Sequence, residues 1–301
     1  MTKRRSIVAI IIGLVILAVA FAGYLSKKFH LKELRGDVPY AMYLYAKGEQ
    51  CPFNSRSRNF TPVQNPHFIA HAGGAIIENG KPLTYTNSKE ALLQSIGYGF
   101  SFIELDLMLD SSGGIFAAHD YRHFAGITGG SLAPDTPPSK EQIQQARIHN
   151  HLTPLTAESI TEIFLAYPRI YLVTDKLNDF DAIASQLPFT DRILIEVFSL
   201  KGYYEAKRLG LLPMLSTSDI ALAKSLKIPM VATHTSTLQD SAKAQLAQSY
   251  LAQGGCIMAF SSNEKSFIES ILEVSASMIY TDYFDINTKQ CKLEEAMCKT
   301  Y

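Results

Sequence analysis

Neither sign of charge is in excess: 28 Lys and Arg stand against 28 Asp and Glu, and the formal net charge is zero. The chain therefore carries no electrostatic footprint for a polyanion, and nucleic acid is not an expected partner. Cysteine is scarce as well. The four present, Cys51, Cys256, Cys291 and Cys298, include no close pair at metal-ligand spacing, which argues against a cysteine metal site. They read as buried or free thiols, although an oxidising compartment would permit one disulfide. Across a regular helix from Lys292 to Met297, the Cα atoms of Cys291 and Cys298 would lie roughly 10 Å apart, beyond the ~7 Å limit of a disulfide. Free thiols are the expectation, with a broken helix or a partner such as Cys51 as the alternatives.

What the chain has in quantity is apolar surface to bury. Hydrophobic residues make up 47% of its 301 residues, as in folded rather than disordered proteins. Less the N-terminal segment, this leaves one domain of roughly 250 residues, typical of an α/β barrel. At the N-terminus Lys3, Arg4 and Arg5 precede a run without charge from Ser6 to Ser26. That run is about long enough to cross a ~30 Å hydrocarbon core as a helix. It is expected to be an uncleaved signal anchor, the alternative being a signal peptide cut near Ala20-Phe21-Ala22 and a secreted domain. Lys27, Lys28, Lys32 and Arg35 blunt the charge asymmetry, but the short basic tail makes an extracytoplasmic domain the default.

Residues 27–65 read as a juxtamembrane linker or cap. From Asn87, Ala91, Leu92, Leu93 and Ile96 repeat at helical spacing until Gly97 and Gly99. Phe102 to Leu109 alternates strictly, with Glu104, Asp106 and Met108 on one face, and Ile115 to Ala118 is a further strand. Residues 121–154 form an irregular excursion with a helix near Lys140 to Arg147. Strand patterns then recur at Ile170–Thr174, Arg192–Val197, Pro213–Leu215, Met230–Thr233, Ile257–Phe260 and Met278–Tyr280, with helical runs between them. Such βα repetition predicts an α/β fold, a (β/α)8 TIM barrel preceded by an N-terminal transmembrane helix. With Phe68–Ala70 there are nine candidate strands for eight places, and the surplus is Ile115–Ala118 or Pro213–Leu215.

The chemistry concentrates between Phe68 and Asp120. His71 and His119 each end an apolar strand, where parallel α/β folds place their active sites. Histidine titrates near neutrality, so one ring can accept a proton while the other donates. Glu104 and Asp106 leave one strand face roughly 7 Å apart. They repel each other unless a cation lies between, and Mg²⁺ or Ca²⁺ with oxygen ligands fits that need. A polar strand face towards solvent is the plainer alternative. Gly73 and Gly74 let the backbone approach an anion, or simply make a tight turn. Asn87 reads as a helix N-cap.

In order, His71-Ala72-Gly73, Asn87-Ser88, Glu104-Leu105-Asp106, a Gly turn and His119-Asp120 resemble the glycerophosphodiester phosphodiesterase family, barrels related to phosphatidylinositol-type phospholipases C. Asp175 matches the family's acidic residue on a later strand, and Ile279-Tyr280-Thr281-Asp282-Tyr283 its closing Thr-Asp segment. Weaker likeness runs through Val197-Phe198-Ser199 and Met258-Ala259-Phe260-Ser261, so the resemblance covers about residues 66 to 285. It implies one divalent cation on Glu104, Asp106 and Asp175, acid-base catalysis by His71 and His119, and substrate contacts from Gly73, Gly74 and Lys176.

Departures touch the substrate pocket. Ala72 replaces the usual arginine, Thr86 the usual glutamate, and the later-strand tryptophan is missing, since the chain has none. Asp175 and Lys176 are adjacent rather than two apart, so on a continuing strand Lys176 would point away from the substrate. The expected organisation is residues 1–26 as anchor or signal peptide, 27–65 as linker or cap, 66–290 as barrel and 291–301 as tail. The expected activity is hydrolysis of a glycerophosphodiester or related phosphodiester. A phospholipase C- or D-like enzyme on membrane lipid and a weakened binding barrel are the alternatives.

Overall fold

The computed structural model describes residues 37–130, 132–293 and 298. The apolar run from Ser6 to Ser26 lies outside them, as does most of the C-terminal tail. Among the described residues no helix is long and apolar enough to cross a membrane.

In chain order the strands are β1 (Phe68–Ala70), β2 (Ile76–Glu78), β3 (Lys81–Leu83), β4 (Phe102–Glu104), β5 (Leu107–Leu109), β6 (Ile115–Ala117) and β7 (Tyr171–Thr174). They continue as β8 (Ile193–Val197), β9 (Leu212–Ser216), β10 (Met230–His234), β11 (Cys256–Phe260), β12 (Met278–Thr281), β13 (Phe284–Asp285) and β14 (Gln290–Cys291). β1, β4 and β7 to β12 pair in parallel and close into a barrel of eight. The remaining strands form antiparallel pairs, β2 with β3, β5 with β6 and β13 with β14.

The surplus candidate is therefore Ile115–Ala118, and Pro213–Leu215 belongs to the barrel as part of β9. The stretch from Phe102 to Leu109 is also not one strand. The barrel ladder continues through Leu105, whose N–H donates to Val173 O at 2.9 Å. At Asp106 the N–H goes instead to Asn87 Oδ1 at 3.0 Å, and the chain turns out into the β5–β6 hairpin. A side chain has taken a hydrogen bond that a strand would need, which ends the strand.

Alternation along each strand sorts the core into two parts. Ile103, Leu172, Ile193, Ile195, Val231, Ile257 and Ile279 face outwards and pack under the surrounding helices. Ile69, Phe102, Val173, Leu194, Met214, Ala232, Met258 and Met278 fill the barrel as a single apolar cluster. Fully burying each large member of these layers contributes roughly 1.5–3 kcal/mol.

Residues 37–65 close the barrel's N-terminal end. Helix α1 (Val38–Lys47) sets Tyr40 and Tyr43 against Tyr204, with ring centroids 5.4 and 5.0 Å apart. Cys51 is bonded to Cys256 at the start of β11, and Phe53 meets Phe102 and Tyr171 edge-on, each at 5.0 Å. Cys291 and Cys298 form the second disulfide, their Cα atoms 6.1 Å apart and so within bonding reach. The expectation of free thiols is thus overturned: all four cysteines are paired. Cys51 does find a partner, but 205 residues away, a proximity that only barrel closure creates.

Candidate active site

The site is the layer directly above the apolar barrel filling. Two residues beyond Ile69, Phe102, Val173 and Leu194, on the same inward face, stand His71, Glu104, Asp175 and Glu196. Two beyond Met214, Ala232, Met258 and Met278 stand Ser216, His234, Phe260 and Tyr280. All eight line one cavity of about 480 Å³ at the C-terminal end of the barrel, with Tyr85, Asp106, His119 and Lys176 among its other walls. Period-two alternation carried one step past each strand's last apolar residue thus generates the ring of polar groups.

Glu104, Asp106 and Asp175 converge, each offering an oxygen within 4.8 Å of the others. Glu104 Oε2 accepts the Ala72 N–H at 2.6 Å. Ala72 reaches it in a left-handed conformation, φ 48°, a strained one for a residue with a Cβ. Asp106 is held from both ends: Asn87 Nδ2 donates to its Oδ2 at 2.8 Å while Asn87 Oδ1 accepts its N–H. Asn87 is therefore not the N-cap. Ser88 is, its Oγ accepting the Ala91 N–H at 3.3 Å to start helix α2 (Lys89–Tyr98).

Electrostatics at this cluster favour a cation. Burial, and after it the charges of Asp106 and Asp175, hold the Glu104 carboxyl well above the usual carboxylate range. Burial and then the Asp106 charge raise Asp175 as well. Asp175 Oδ1 is buried without a hydrogen-bond partner among the described residues. Lys176 does reach the site: its Nζ lies 3.4 Å from Asp175 Oδ2 and 3.7 Å from Asp106 Oδ1. The strand ends at Thr174, so the rule that sends adjacent side chains to opposite faces no longer governs residue 176. One lysine charge nonetheless faces three carboxylates.

The two histidines are held alike. His71 Nδ1 lies 2.9 Å from Asp282 Oδ1, and His119 Nδ1 lies 2.8 Å from Asp120 Oδ2. Burial would lower the His71 pKa, but the Asp282 hydrogen bond and charge, with those of Asp106 and Asp175, outweigh it and raise it. Asp120 is kept below the usual range first by the His123 N–H it accepts, then by His119. His119 comes from outside the barrel, off β6, which is pinned where Ala118 N–H donates to Asp106 O at 2.9 Å. The Tyr85 ring stands edge-on to both imidazoles, 4.8 Å from His71 and 5.3 Å from His119.

Gly73 and Gly74 are the expected site residues that the fold places elsewhere. Neither lines the cavity. Ser95 Oγ of α2 donates to Gly73 O at 2.6 Å, and a Cβ at Gly74, φ 91°, would collide with the same hydroxyl. The pair serves a tight turn against the helix. Sequence reasoning missed Asn87 as an Asp106 holder, Asp282 as a histidine partner, Tyr85, and the far wall of Glu196, Ser216 and His234. The inward alternation of β8 to β10 was the available signal for that wall.

No family model matches the sequence, and no curated protein matches it. Solved structures do resemble it. A phosphodiesterase from Oleispira antarctica, in complex with the product sn-glycerol-3-phosphate, superposes with TM-score 0.59 at 20% identity, covering 74% of this chain and 96% of that one. A glycerophosphodiester phosphodiesterase from Thermotoga maritima gives 0.56 at 14% identity, covering 76% and 98%. One from Parabacteroides distasonis gives 0.56 at 16%, covering 73% and 94%. The barrel of this chain is the fold that these glycerophosphodiester phosphodiesterases share.

Proposed function

We propose that this chain is a phosphoric diester hydrolase that cleaves a glycerophosphodiester or a related phosphodiester with two histidines as acid and base. The observation that carries it is the pairing of two imidazoles, each with Nδ1 on a carboxylate, in one cavity with a three-carboxylate cluster. With Nδ1 so engaged, Nε2 is the nitrogen each ring presents for proton transfer.

Glu104, Asp106 and Asp175 suit one divalent cation, Mg²⁺ or Ca²⁺. They are hard oxygen donors, desolvated and mutually repelling, and one buried oxygen has no hydrogen-bond partner among the described residues. A cation held by these three carboxylates would offset phosphate charge and would favour loss of a proton from a hydroxyl in the site. One histidine then takes the proton of a substrate hydroxyl as its oxygen bonds to phosphorus. The other gives its proton to the departing alcohol oxygen as that P–O bond breaks. In the second half, water's oxygen bonds to phosphorus as the bond to the attacking oxygen breaks; the histidine that gave up its proton takes one from water, and the other returns its proton to the freed hydroxyl. Asp282 and Asp120 orient the rings and stabilise the charge each gains. Lys176 contacts a phosphate oxygen, standing in for the arginine that Ala72 replaces. The product held by the Oleispira enzyme, sn-glycerol-3-phosphate, is one expected here.

A screen of phosphodiesters by phosphorus NMR, with Mg²⁺ or Ca²⁺ and with chelator, tests this. Cation-dependent release of an alcohol is expected, and no turnover of any diester with either ion would contradict it. We also place the domain outside the cytoplasm, anchored by the Ser6–Ser26 segment or secreted after its cleavage. Two disulfides and no free cysteine favour an oxidising compartment. A C-terminal reporter active only after export would check it.

A further inference from the structure

A carboxylate on Nδ1 fixes the direction of one imidazole nitrogen, but the torsion that turns the ring plane is broad for histidine and is left to packing. The two rings of this site differ in how much packing they need. The His71–Asp282 pair is enclosed, its side chains 16% and 2% exposed. The His119–Asp120 pair is 37% and 49% exposed, so water competes for its hydrogen bond. His119 also arrives past the β5–β6 hairpin, outside the barrel that carries His71. Nothing in either hydrogen bond sets one ring relative to the other.

Tyr85 supplies that relation. Among the described residues it is the side chain whose ring meets both imidazoles, edge-on at 4.8 Å from His71 and 5.3 Å from His119, and it lines the same cavity. His123, 5.8 Å from His119 and 6.4 Å from Tyr85, adds a further ring to the group. Edge-to-face ring contacts are favourable and directional. Tyr85 stands in a left-handed conformation, φ 53°, a rare one for a tyrosine, as Ala72 and Asn87 do at φ 48°. Asn87, two residues on from Tyr85, is tied to Ala72 by its N–H, which donates to Ala72 O at 3.1 Å. The Ala72 N–H goes in turn to Glu104, and the Asn87 side chain to Asp106. Backbone strain of this kind persists only where the surroundings over-determine it. Here the chain that grips the cation cluster also delivers the Tyr85 ring against both histidines.

We propose that Tyr85 is the positioning residue of the acid-base pair: its ring sets the planes of His71 and His119 relative to each other, and His119, the more exposed, depends on it more. The role belongs to the ring and not to the hydroxyl, because the contacts to both imidazoles are ring contacts. The proposal rests on the two-histidine reading for turnover, but not for ring order.

Turnover and ring order are measured separately, on the full chain in detergent. Tyr85→Leu removes the ring and keeps a Cβ at the strained position, Tyr85→Phe keeps the ring, and Tyr85→Met replaces the leucine variant should that fail to fold by circular dichroism. On a natural-type diester Tyr85→Leu should lose about 10–100-fold in kcat with KM held within about threefold, as a misaligned reacting group does. Tyr85→Phe should recover to within about threefold of the unsubstituted rate. Added to a His71→Ala, His119→Ala double variant, Tyr85→Leu should cost less than about twofold more on a nitrophenyl diester, since residues that act as a unit are not additive. Carbon-13 relaxation of the imidazole Cε1–H groups needs no turnover. In Tyr85→Leu the His119 order parameter should fall from about 0.85 to below about 0.6, and that of His71 by less, with both preserved in Tyr85→Phe. Unchanged order of both rings in Tyr85→Leu overturns the proposal. So does a loss confined to KM, which would make Tyr85 a wall for the substrate, or an equal loss in Tyr85→Phe, which would give the role to the hydroxyl. Loosened rings in a protein whose unsubstituted form hydrolyses no diester would uphold the positioning role and refute the phosphodiesterase reading.

Discussion

Asp282 Oδ1 lies 2.9 Å from His71 Nδ1, and Asp282 is itself fixed by Asn263. Asn263 Nδ2 donates to Asp282 Oδ2 at 3.0 Å, while Asn263 Oδ1 accepts the N–H groups of Asp282 and Tyr283 and the hydroxyl of Thr281. The ring at the mouth of β1 is thus oriented from β12 and the loop after β11, by residues distant in sequence but adjacent across the closing seam of the barrel.

Asp282→Asn should therefore disable His71 without emptying the cation site. The amide can still hydrogen-bond the ring but no longer fixes the same tautomer or balances its charge. Turnover should fall by about 10²-fold or more. Cation affinity, measured by calorimetry, should stay within a few-fold; its collapse would make Asp282 a support of the carboxylate cluster instead. Asn263→Ala leaves buried donors unpaired and should cost roughly 1–3 kcal/mol in urea denaturation.

Cation binding should be steeply pH-dependent. Glu104 and Asp175 hold their protons above the usual carboxylate range in the ion-free protein. Binding must displace them, so affinity falls as pH drops and protons are released on binding. Saturating ion at about 100 times Kd should stabilise the fold by roughly 2.7 kcal/mol, and Asp106→Asn should abolish that gain. Proton release is read by titration in buffers of different ionisation enthalpy, and zero release contradicts the assignment.

Glu196 gives a separate pH signature in the ion-free protein. Burial, before any other cause, pushes its carboxyl up to about 7 from an ordinary 4.5. Between those values the folded chain binds more protons than the unfolded one, so the contribution to stability is favourable at the low end and lost as pH rises to about 7. Above that, the ionised group destabilises the fold by roughly 3 kcal/mol at most. Glu196→Gln should therefore raise the melting temperature more at about pH 8 than at about pH 5. An equal change at both would show that the carboxyl is not perturbed.

The Cys51–Cys256 bridge spans 205 residues at the end of the barrel away from the cavity. Replacing both cysteines by serine should cost roughly 2–5 kcal/mol of stability. Activity below the new melting temperature should be preserved. A loss of activity in still-folded protein would mean that the cap acts on the site through the barrel.

The sequence carried the near half of the site and little of the far half. His71, Glu104, Asp106, His119 and Asp175 sit at or beside strand ends, and a period of two or a strand terminus exposes them locally. Lys176 stands in the cavity, as the resemblance implies, because β7 ends at Thr174 and strand alternation no longer sets its direction. Asn87 reads as a cap because it precedes a helical pattern, but its N–H donates to Ala72 O at 3.1 Å and its side chain is taken up by Asp106. The split at Asp106 depends on that same Asn87 side chain, nineteen residues back in the chain. Asp282 and Cys256 acquire their partners only when β12 and β11 close the barrel, which no local pattern encodes. Glu196 is legible as the lone acid in Ile193-Leu194-Ile195-Glu196-Val197, where a period of two sets it on the same face as Leu194.

The most direct test of the two-histidine mechanism varies the leaving group. A general acid matters most when the departing alcohol is poor, whereas a base is needed whatever departs. On a natural-type diester His71→Ala and His119→Ala should each lose about 10²–10⁴-fold in kcat/KM. On a nitrophenyl diester that keeps the attacking hydroxyl, one variant, and only one, should recover towards the unsubstituted rate. Full activity of both variants on the natural-type diester would contradict acid-base catalysis by this pair.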